Sequence, residues 1–73
     1  MDADTLRTAG EALFGPHWIE SMSESIDVAP RTIRRWLGGW EIPAGIRSEL
    51  IMLAHEKEID LRDLLQALEA RSP

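Results

Sequence analysis

The sequence predicts an all-α fold, a compact bundle of about five short helices, and three observations carry that expectation. Apolar residues recur three and four positions apart, and no stretch alternates convincingly with period two. Glycine and proline fall at Gly15-Pro16, Pro30, Gly38-Gly39 and Pro43, dividing the chain into helix-sized pieces. There is no cysteine, so neither a disulfide framework nor a zinc finger can supply stability. At 73 residues the chain is sized for one domain, 1–73, with one modest core.

The elements follow in order. Asp4 is read as the N-cap of a first helix whose inner face is Leu6, Ala9, Gly10 and Leu13. Gly15 ends it, and Pro16 suits the first position of the next helix. There Trp18, Ile19, Met22 and Ile26 cover an arc of about 100°. Asp27-Val28-Ala29 is a short turn, Pro30 opens a third helix, and Gly38-Gly39 closes it. Trp40-Glu41-Ile42 connects to a fourth helix, opened by Pro43, with Ile46, Leu50, Leu53 and Ala54 inward. Asp60, with Asp63 three residues on, is read as the cap of a fifth helix striped by Leu61, Leu64, Leu65 and Leu68. No strong breaker lies between His55 and Ile59, so continuity of the last two helices stays open.

Charge is unevenly placed. Eight basic and thirteen acidic side chains give a net charge of −5, unusual for a nucleic-acid-binding domain. Yet Arg31, Arg34 and Arg35 form one positive island, with no acid between residues 31 and 40. Screening over about 8–10 Å lets such an island act locally. No apolar run approaches the roughly 18 residues of a membrane span. Met1-Asp2-Ala3-Asp4 is acidic, the opposite of a signal peptide's basic start, so a cytoplasmic protein is expected.

The segment Trp18 to Gly39 reads WIESMSESIDVAPRTIRRWLGG. In the spacing of its apolar anchors it resembles the Cro-type, lambda-repressor-like helix-turn-helix family of DNA-binding domains. Met22 stands at the first-helix leucine position and Ser23 at a small position where the helices cross. Ile26 and Val28 flank the turn, and Ile33 and Trp36 are the core residues of the second helix. Gly38 and Ile42-Pro43 fit the same pattern. The motif, about residues 17–39, covers a third of the chain, and the helix order covers most of it. Three positions depart from the family. Asp27 stands where glycine is usual, and Asp tolerates left-handed backbone better than most residues. Ala29 replaces the usual Ser or Thr cap, partly offset by the fixed φ of Pro30. Ile19 replaces a glutamine that often touches phosphate, which leaves that contact to His17 or to backbone N–H groups.

A helical wheel sorts the third helix. Ile33, Trp36 and Leu37 form one stripe, and Arg31 and Arg35 fall opposite it, one turn and about 40° apart. The resemblance implies that this ridge enters the major groove. Pro30, Arg31 and Arg35 would then read bases, the arginines bidentately on guanine. His17, Thr32, Arg34, Gly39 and Trp40 would meet phosphates. A solvated outer face is the ordinary alternative, but local energetics oppose it. Arg31 sits at the end of the helix where the dipole disfavours cations. The three arginines also repel at i,i+3 and i,i+4 unless Glu20, Glu24 or Asp27 pairs with them.

Trp18 and Trp36 are expected in the core, whereas Trp40, after two glycines, is read as capping the core or lying against a DNA backbone or a partner subunit. His17 and His55 stand far apart with no cysteine near, and no triad, phosphate loop or catalytic carboxylate pair is visible. No metal, cofactor, small-molecule ligand or enzymatic activity is therefore expected. Ile51 and Met52 lie off the main stripe of the fourth helix. Either the leucine-rich fifth helix covers them within the monomer or a second copy does; a homodimer interface with Leu61 and Leu65 is favoured, since this motif commonly reads paired half-sites. The expected function is a sequence-specific transcriptional regulator, a repressor or autorepressor of a small phage or mobile-element operon by family analogy. The rival is an acidic, antirepressor-like protein-binding module that keeps the fold without DNA.

Overall fold

The computed structural model describes residues 1–70, so the last three residues of the expected domain lie outside the described ones. Its elements are α1 (Ala3–Phe14), α2 (Trp18–Ile26), α3 (Pro30–Leu37) and α4 (Ala44–Ala70), with no strand among the described residues. The all-α class stands, but the described residues form four helices rather than five.

Each boundary has a local cause. Helix α1 starts two residues earlier than expected, because the Asp2 carboxylate accepts the Thr5 N–H at 2.8 Å. Asp4 falls in the first turn and pairs with Arg7 at 3.2 Å. Gly15 takes φ 84° and turns the chain, so Pro16 sits in the turn and α2 begins at Trp18. Between α2 and α3 the chain turns on Asp27, which adopts φ 57° and ψ 50°, the left-handed conformation expected of it. Ser23 holds that turn from both sides. Its carbonyl accepts the N–H groups of Asp27 and Val28, and its hydroxyl donates to the Val28 carbonyl. Ala29 offers no side-chain cap, and Pro30 stands at the start of α3.

Nine side chains make the core: Leu6 and Leu13 from α1, Trp18, Met22 and Ile26 from α2, Ile33 and Trp36 from α3, Ile46 and Leu50 from α4. Leu6, Met22 and Ile33 are fully buried, and among the described residues no charged or polar one is buried with them. Both tryptophans expected in the core are there. The α1–α2 crossing is set by Gly10, over which the Trp18 ring lies. A Cβ on Gly10 would come within 2.9 Å of Trp18 Cγ and closer still to the neighbouring ring carbons. Gly10→Ala is therefore expected to destabilise by about 1–3 kcal/mol despite alanine's better helix propensity. A melting curve checks this, at roughly 4–8 °C per kcal/mol for a domain this size. Gly45→Ala is the control: apart from its chain neighbours and the adjoining backbone of α4, nothing lies within 4 Å of its added carbon, and the melting temperature should hold or rise.

The bundle is less compact than expected. Helix α4 runs unbroken for 27 residues, and the fifth helix does not exist as a separate element. Asp60 lies inside α4 as an exposed residue, not at a cap. At about 1.5 Å per residue α4 is ~40 Å long, and only its first half meets the body. Ile46 and Leu50 are buried and Leu53 half-buried, whereas Ala54, expected inward, is exposed. Beyond that point Lys57 donates to the Leu13 carbonyl at 3.0 Å, satisfying an orphan acceptor at the C-terminus of α1. The remainder projects clear. The described chain measures 52 × 21 × 20 Å, with a radius of gyration of 14.7 Å against about 11 Å for a compact domain of this length. Leu61, Leu64, Leu65 and Leu68 stand 49–58% exposed. Since α4 does not fold back, Ile51 (47%) and Met52 (64%) are exposed as well.

Candidate nucleic-acid interface

Helix α3 has eight residues and strongly divided faces. Ile33 and Trp36 are buried against α1 and α2, and Leu37 is half-buried. With that stripe anchored, Arg31 and Arg35 are exposed on the opposite ridge and Arg34 is exposed on one flank. Pro30 and Thr32 are half-buried at the start of the helix. His17 is exposed just before α2, an element away in sequence, and no hydrogen bond joins it to the arginines among the described residues.

The three arginines have different partners. Arg34 pairs with Glu20 of α2 at 3.2 Å, so one of the three candidate acids does offset the repulsion. Both partners are more than half exposed, and such a pair contributes at most about 1 kcal/mol. The Arg35 guanidinium lies over the Trp40 ring, 5.4 Å from its centroid. An exposed cation–π contact of this kind is worth about 0.5–1 kcal/mol. Arg31 has no ion pair or side-chain hydrogen bond among the described residues. The end of the ridge where the helix dipole disfavours cations thus carries the least compensated charge.

Trp40 is placed by the end of α3. Gly39, at φ 108°, lets the chain reverse. Its N–H bonds the Trp36 carbonyl, and the Trp40 N–H bonds the Arg35 carbonyl, each at 3.1 Å. This pair of bonds is a Schellman closure. Trp40 is thereby tied to Arg35 through the backbone and lies beneath its guanidinium through the ring. Its indole is 66% exposed, so capping the core is not its role. Neither the Arg35–Trp40 stack nor the Ser23 grip on the turn was foreseen from sequence, although the Gly38-Gly39 pair directly before Trp40 signalled the reversal. The site is a short arginine-faced helix held across α2 by a three-residue turn, with an exposed tryptophan at its end. No family model, curated protein or solved structure matches the chain, so its own residues and geometry carry the reading. No helix among the described residues is long and apolar enough to cross a membrane.

Proposed function

We propose that α2, the Asp27 turn and α3 form a helix-turn-helix, and that the chain is a sequence-specific DNA-binding regulator acting as a repressor. One observation carries the reading. The exposed ridge of α3 presents Arg31 and Arg35 opposite a buried Ile33–Trp36 stripe, with Arg31 in the first turn, where the helix dipole disfavours a cation. Arginine's planar fork matches guanine O6 and N7 in the major groove. Pro30, at the start of the same helix, is the third candidate for base contact, while Thr32, Arg34, Gly39, Trp40 and His17 are the candidates for phosphate contact. Arg34 can exchange Glu20 for a phosphate at little loss, because their pair is exposed.

One such helix contacts only a few base pairs, too few to select a site in a genome. Two copies are therefore proposed to bind an inverted repeat with half-site centres about 34 Å apart. Blocking polymerase access is the mechanism such a pair provides. The acidic remainder of the chain weakens non-specific attraction to DNA and leaves selectivity to the α3 ridge. Selection from a random duplex library, followed by footprinting of the enriched sites, tests the reading. Enrichment of a symmetric, guanine-containing repeat is the expected result. No enrichment over input DNA would favour the acidic protein-binding module instead.

A further inference from the structure

Helix α4 carries two apolar features at different heights. Beside the body, Ala9, Ala12 and Leu13 of α1 and Leu50, Ile51 and Ala54 of α4 line an open apolar groove of about 320 Å³. About 21 Å further along the same helix stand the projecting leucines. At 100° per residue, Arg47, Ile51, Ala54, Glu58, Leu61, Leu65 and Glu69 fall within one arc of about 80°. Groove and leucines therefore face the same way.

We propose that this face binds a second copy of the chain, with the two α4 helices antiparallel about a two-fold axis at Glu58, so that each copy's leucines fill the other's groove. In that register Ile51 lies against the partner's Leu65, and Ala54 against the partner's Leu61. Most of the charges agree with the apolar pairs: Arg47 meets the partner's Glu69, and the one like-charge contact, Glu58 on the partner's Glu58 at the axis, has the partner's Arg62 one turn away. Each contact occurs twice, as an isologous interface requires. The Lys57–Leu13 bond shows that α1 lies along the Leu50–Lys57 edge of α4. Under the two-fold, like edges face each other, so Leu64 and Leu68 on that edge meet the partner's α1 groove wall. A parallel pair would stack leucines on leucines and leave both grooves empty. The flanks also argue against a phosphate-rich partner, since the described part of α4 beyond Ser48 carries six acids and two bases. Ile59 and Met52 point to the other side of the helix, so Met52, expected at the interface from sequence, stays outside it.

The pairing gives a geometry to the two-copy reading above and does not depend on what α3 contacts, so its test contains no DNA. Sedimentation of the whole chain at tens of micromolar should give twice the 8.2 kDa chain mass. Leu61→Asp with Leu65→Asp should halve that mass while the emission of the buried tryptophans stays native. Since the chain has no cysteine, single cysteines report the register. Under oxidation Glu58→Cys should cross-link to itself. Ile51→Cys and Leu65→Cys should cross-link only when the two variants are mixed. A monomeric parent chain overturns the proposal and leaves pairing of two copies on DNA to the selection experiment above. A dimer in which Leu65→Cys cross-links alone overturns this geometry and leaves the two-copy reading standing. Neither result bears on DNA contact by a single chain.

Discussion

Trp36→Ala is expected to unfold or loosen the whole domain, with a loss of about 3–5 kcal/mol. The side chain is 6% exposed and sits where α3 packs on the core of α1 and α2. No polar or charged residue among the described ones is buried with it, so the loss comes mainly from transfer of the ring and from the cavity left behind. A nine-residue core has little reserve, and total stabilities of small domains are commonly only 5–15 kcal/mol. Calorimetry or urea unfolding followed by circular dichroism measures the effect. The result also tests which face of α3 is which. If Trp36→Ala melts normally but abolishes DNA binding, the tryptophan belongs to the interface and Arg31 and Arg35 are turned away from it. Trp40→Ala provides the contrast, because that ring is mostly exposed and should leave the melting curve within about 0.5–1 kcal/mol of the parent.

The inward faces were legible in the sequence because burial follows the 3.6-residue period. All nine core residues fall on stripes that spacing alone assigns. Asp27 in the left-handed region and the Gly38-Gly39 closure were legible for a different reason, since few residue types tolerate those backbone angles. The length of α4 was not. Asp60 has the chemistry of an N-cap, but a cap forms only where the preceding residues leave the helix. His55-Glu56-Lys57-Glu58-Ile59 gives the chain no reason to leave. An exposed Asp inside a helix costs only about 0.5 kcal/mol relative to the best helix formers, less than breaking and re-nucleating the helix. Lys57 on the Leu13 carbonyl, Arg34 on Glu20 and Arg35 on Trp40 are contacts of geometry. Sequence supplied the donors, and only the folded arrangement of α1, α2 and α4 selected their partners.

Arg31→Ala and Arg35→Ala are each expected to weaken specific DNA binding by about 1–3 kcal/mol, or roughly 5- to 150-fold, with the melting curve unchanged for Arg31→Ala and within about 0.5–1 kcal/mol of the parent for Arg35→Ala, which also gives up the Trp40 contact. Both side chains are exposed and neither touches the core, so their loss should not reach the fold. They stand one turn apart on the same ridge and would read neighbouring bases. The double variant should therefore lose no more than the sum of the singles. Lysine separates base reading from simple attraction. Arg31→Lys keeps the charge but gives up the bidentate fork, so affinity for the preferred site should fall toward that for mismatched sites while the salt dependence stays. Arg34→Ala should do the reverse, lowering affinity about equally on all sequences and reducing the log–log salt slope by about one. Arg35 differs from Arg31 in one respect, since its guanidinium already rests on Trp40. Removing the ring with Trp40→Ala should lower discrimination at the base read by Arg35 and leave the Arg31 position alone. Anisotropy titrations on matched and singly mismatched duplexes at several salt concentrations measure all four effects. Parent-like affinity in both alanine variants would remove the major-groove assignment and leave the arginine face of α3 as solvated surface.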